Sequence, residues 1–97
     1  MRTVWHQPAA SKAYDEACEK WERADEVWNA MEWAIAHDPK LGKAISDSGH
    51  VRTLMIQGAR SIGWPTLTVI YTNDNDDELT VQEATFEEAG TYKPGFA

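Results

Sequence analysis

The sequence predicts one small α+β domain of the order strand–helix–helix–strand–strand–strand, with two helices packed on an antiparallel sheet. Three observations predict it. An uninterrupted helical period runs through residues 11–37, a Pro and Gly pair of breakers follows it, and three β-rich runs joined by short polar links fill the second half. A length of 97 residues fits one domain spanning 1–97. So short a chain needs a core dense in large side chains, and five Trp within a 42% hydrophobic composition supply it.

The first element is the β-prone run Thr3–His6, closed by Pro8. Ser11 is the expected N-cap of the helical region that follows. Tyr14, Ala17, Trp21, Ala24, Trp28, Met31 and Ile35 then recur at spacings of three and four, which places them on one stripe facing the core. No Pro or Gly interrupts this segment, so local rules allow one helix or two. A break near residues 22–25 is expected, because one unbroken helix would leave most of its stripe uncovered in so small a domain. Cys18, within the same pattern, is expected to pack as a small hydrophobe.

Asp38-Pro39 ends the helix, since the residue before proline is pushed out of the α region. Gly42, Ser46, Asp47, Ser48 and Gly49 read as a polar connection. Strands are expected at Val51–Ile56, 66–71 and 79–86, with a loop at 58–63 and a hairpin link at 73–77. Residues 91–97, with Pro94 and Gly95, read as an irregular tail.

Composition bounds the function. Nine Lys and Arg stand against 16 Asp and Glu, a net charge of −7, whereas proteins that grip nucleic acid usually carry a basic surface. The single cysteine excludes an intramolecular disulfide and a cysteine zinc cluster. The start lacks the apolar run of a signal peptide, and no stretch is long enough to span a bilayer, so the cytoplasm is expected.

Three pieces, in order, resemble the RelE/ParE toxin superfamily. Asp38-Pro39-Lys40-Leu41-Gly42 is similar to that family's P-x-x-G exit from its second helix. Gly49-His50-Val51-Arg52-Thr53-Leu54 resembles its V-R-x-L strand. Thr66-Leu67-Thr68-Val69-Ile70-Tyr71, followed by an acidic turn and Leu79-Thr80-Val81, resembles its Y-R-V-x-Y strand and final hairpin. The resemblance implies a toxin of a type II toxin–antitoxin pair, neutralised by an antitoxin protein, with no cofactor. Its RelE branch cleaves mRNA on the ribosome without a metal, and its ParE branch acts on DNA gyrase.

Carried over by position, the resemblance makes Arg52, Arg60 and Tyr92 the catalytic candidates of a metal-independent endoribonuclease. It also places Lys93 beside Tyr92 as a partner-binding candidate. Thr68 stands where the nuclease branch usually has Arg, which removes the residue best suited to a bidentate phosphate contact. The alternative on the same fold is a non-catalytic protein-interaction domain.

Several other clusters have plainer readings. Arg52 and Arg60 could form a phosphate subsite, or Arg52 could pair with an acid on a neighbouring strand while Arg60 is solvated. Asp47, Ser48 and His50 contain triad residue types, but adjacency in sequence does not build a triad. Asp74, Asp76 and Glu78 alternate as calcium ligands do, yet they lack the EF-hand Gly and terminal Glu. Trp33 falls opposite the helical stripe and is a partner-binding candidate, with contact to the tail as its alternative.

Overall fold

A computed structural model of the chain describes residues 1–90. Two helices pack on a five-stranded mixed sheet of order β1-β5-β4-β3-β2. The strands are β1 (Thr3–His6), β2 (Lys43–Ala44), β3 (Val51–Ile56), β4 (Thr66–Asn73) and β5 (Glu78–Glu87); the helices are α1 (Pro8–Lys20) and α2 (Ala24–His37). The α+β class stands, and β3, β4 and β5 pair antiparallel as expected from their short links. Two details differ from the expectation. β1 runs parallel to β5, and Lys43–Ala44, inside the expected polar connection, adds an edge strand against Arg52 and Thr53. Both depend on long-range pairing, which local pattern does not encode.

Pro8 closes β1 and opens α1, so the helix starts before Ser11. The N-cap position is Gln7, whose carbonyl accepts from the Ala10 and Ser11 N–H groups. The fixed φ of proline suits the first helical position, where its missing N–H costs nothing. α1 ends at Lys20 because Trp21 turns extended and sends its indole N–H to Glu88 at 3.2 Å. A continuous helix over residues 8–37 would be about 45 Å long, more than the 40 Å longest dimension of the molecule. The break at 21–23 therefore lets both helices lie on the sheet.

On the helical stripe, Ala17, Ala24, Trp28, Met31 and Ile35 are buried, while Tyr14 and Trp21 are half-buried. The Tyr14 ring lies tilted by 30° against Trp28, with ring centroids 4.8 Å apart. Cys18 is exposed, in contrast to the expectation, because Ala17 occupies the inward position and the next residue turns about 100° away. The α2 stripe meets Leu67, Val69 and Tyr71 of β4 and Leu79 and Val81 of β5 in one cluster. A bulge at Ile70/Tyr71 admits the extra residue of β5 and keeps Val81 and Ala84 on the helix side.

Tyr71 terminates the buried row and ties down the chain that leaves α2. Its hydroxyl donates to the Pro39 carbonyl at 2.8 Å and accepts from the Gly42 N–H at 3.0 Å. A Cβ on Gly42 would come within 2.9 Å of that hydroxyl and 2.7 Å of the Thr53 carbonyl, so only glycine fits there. Burial pushes the Tyr71 phenol above the ordinary tyrosine range.

Tyr71→Phe leaves the Gly42 N–H buried without a partner and is expected to cost about 1–3 kcal/mol in urea unfolding. Because its folded pKa is raised, the contribution of Tyr71 to stability is fully present below the unfolded tyrosine pKa. It is lost as pH rises through the folded value. Unfolding free energies of wild type and Tyr71→Phe measured on rising through that range should therefore converge.

Candidate functional site

Arg52 lies on β3 opposite Tyr71, on the side of the sheet that carries the helices. Its Nε donates to the Gly49 carbonyl at 3.1 Å, and its Nη1 donates to the carbonyls of Gly42 at 2.7 Å and Lys40 at 3.3 Å. The guanidinium thus fastens the 38–50 connection from within. No acid of a neighbouring strand takes part in these contacts. Carbonyl oxygens are the acceptors, and they hold two separate loop segments on one planar fork.

Arg60 opens a 3-10 turn at Arg60–Ile62, past the far end of β3, and is exposed. From Arg52 to Ile56 the strand alone advances about 13 Å, and three more residues follow before Arg60. The fold does not bring the two cations together. Thr68 projects on the face opposite the helices, across from Met55 and Thr85, with no Arg in its place. Tyr92 and Lys93 lie outside the described residues.

The remaining clusters resolve simply. The His50 Nδ1 faces the Asn73 carbonyl at 3.1 Å, while the Ser48 hydroxyl accepts the His50 N–H and meets the Ser46 hydroxyl. These contacts make a loop and not a triad. The Asp74 carboxylate accepts from the hydroxyls of Thr72 and Thr80, which closes the hairpin tip. Among the described residues, no group of three or more His, Cys, Asp or Glu is arranged to hold a metal ion. No helix among them is long and apolar enough to cross a membrane.

What the fold does gather is an aromatic edge. Trp33 is 63% exposed, stacked on His37 with ring centroids 4.1 Å apart. A shallow cleft beside it is lined by Met1, Arg2, Val4, Glu32 and Ala36. Trp5, on the other face of the same strand, is 54% exposed and donates its indole N–H to Glu78 at 2.9 Å. Glu78 is held below the usual carboxylate range by hydrogen bonds from Asn75 and then from Trp5. Sequence reasoning found Trp33 but passed over Trp5 and Met1. The signal was available in the alternation of the first strand, where Val4 faces inward and Trp5 must face out.

No family model matches the chain, and no curated protein matches it.

If Arg52 is a fastener of the loop, Arg52→Ala should lower unfolding free energy by about 2 kcal/mol. That corresponds to a Tm drop of roughly 8–16 °C for a domain of this size. Differential scanning calorimetry of wild type and Arg52→Ala checks this.

Proposed function

We propose that this chain is a toxin-like component of a type II toxin–antitoxin pair that works by protein contact and not by cutting RNA. The resemblance of the three ordered motifs to the RelE/ParE superfamily supports the toxin reading. The α+β arrangement of two helices on a sheet is compatible with it. The observation that carries the choice of mechanism is the Arg52 guanidinium, occupied by three main-chain carbonyls.

Metal-free cleavage of RNA must offset charge developing on the phosphate, and preorganised cations are the usual means. Here Arg52 is bonded to loop carbonyls, Arg60 stands beyond the other end of the strand, and position 68 is Thr. A net charge of −7 also opposes approach to a polyanion. A protein target, as in the gyrase-directed branch, demands none of these cations. The partner that neutralises the chain on this reading is an antitoxin protein.

Expression of the chain alone is expected to arrest bacterial growth. Co-expression of the adjacent small gene should relieve the arrest, and its product should co-purify. Ribosomes programmed with mRNA and mixed with the purified chain should yield intact message. Harmless expression with no co-purifying partner removes the toxin reading. Cleaved message that becomes intact with Arg52→Lys would instead restore the nuclease.

A further inference from the structure

The free edge of β1 carries a feature that the toxin reading does not use. Thr3 N–H bonds the Asp77 carbonyl at 2.8 Å, and Gln7 N–H bonds the Val81 carbonyl at 2.9 Å. In the parallel register with β5, Thr3, Trp5 and Gln7 therefore turn their main-chain groups inward. Val4 and His6 turn theirs outward, where no described residue pairs with them.

Natural sheets protect such edges with short strands, lysines, prolines or bulges. The opposite edge has two of these devices, since β2 is two residues long and includes Lys43. The four residues of β1 have none. Instead, three of the exposed large hydrophobic residues, Met1, Trp5 and Trp33, surround this edge.

We propose that β1 pairs antiparallel with β1 of a second copy of this chain, about a two-fold axis at Trp5, making one continuous ten-stranded sheet. The register follows from the free groups. In an antiparallel ladder, residues with outward main-chain groups must oppose each other, so Val4 meets His6 of the second copy and His6 meets its Val4. Trp5 then faces Trp5 of the second copy in the closer, non-hydrogen-bonded position, where aromatic pairs add stability.

The helix side has the same symmetry. Arg2 N–H reaches the Ala36 carbonyl, while the His6 Nε2 meets Glu32 at 2.6 Å, so α2 runs antiparallel to β1. This places Trp33 at the level of Val4 and Trp5, next to the axis. One Trp from each face of each copy thus converges on the same line.

Charge agrees as well. Arg2 lies diagonal to His6 of the second copy, within reach of the Glu32 that holds that ring. The contact is isologous, and the same patch serves both copies, so it closes at a dimer.

Sedimentation equilibrium of the whole chain at micromolar concentration should show a dimer. Trp33→Glu should weaken self-association on the order of tenfold or more, with an unchanged circular dichroism spectrum. Val4→Pro removes an outward N–H but no bond to β5, and it should have the same effect. The register is read by cross-linking in a Cys18→Ser background with oxidised glutathione. Trp5→Cys should give a disulfide-linked dimer, and Thr3→Cys, opposite Gln7 of the second copy, should not.

A monomer at all concentrations overturns the proposal, as does equal cross-linking of the two cysteine variants. These measurements read self-association whether or not expression arrests growth, so their failure is separate from failure of the toxin reading.

Discussion

The structure depends on burying the α2 stripe against the inward rows of β4 and β5. Val27, Trp28, Met31 and Ile35 meet Leu67, Val69, Tyr71, Leu79 and Val81 in one cluster. Each such side chain contributes roughly 1.5–3 kcal/mol by leaving water, and nearly every other feature is arranged around that contact. The helix period and the strand period must both present an apolar row at the same place. The bulge at Ile70/Tyr71 is the local adjustment that keeps the β5 row in phase. Trp28 extends the cluster toward the helix α1 side through rings of Tyr14, His6 and Phe86.

At one end of the buried row, packing gives way to hydrogen bonding. Tyr71 and Arg52 stand opposite each other on neighbouring strands, and both reach the chain that leaves α2. Hydroxyl and guanidinium together engage Pro39, Lys40, Gly42 and Gly49 main-chain groups. A connection without much secondary structure is thereby held by groups whose partners are fixed in the core. On the proposed reading, a guanidinium that already serves three loop carbonyls is poorly placed to meet a phosphate.

The β1 edge leaves Met1, Trp5 and Trp33 exposed. Trp33 comes to the β1 edge because α2 crosses back along β1, with Glu32 on His6 and Ala36 on Arg2. On the other side of the molecule, Ile45 and Met55 leave apolar surface on the sheet face away from the helices.

The sequence by itself determined the elements that rest on local pattern: the first strand, the helical stripe, the exit at Asp38-Pro39 and the three long strands. It also determined that Trp33 points away from the core, because helical phase alone decides this. Phase did not decide the inward set completely. Tyr14 and Trp21 are half-buried, and Cys18 turned outward, since the place a stripe ends depends on what lies beneath it. Only the tertiary structure decided that β1 joins β5 in parallel, that Lys43–Ala44 completes an edge, and that Arg52 fastens a loop. Those outcomes are pairings between residues far apart in the chain. Their energies exist only after the core has closed and brought the partners within hydrogen-bonding distance.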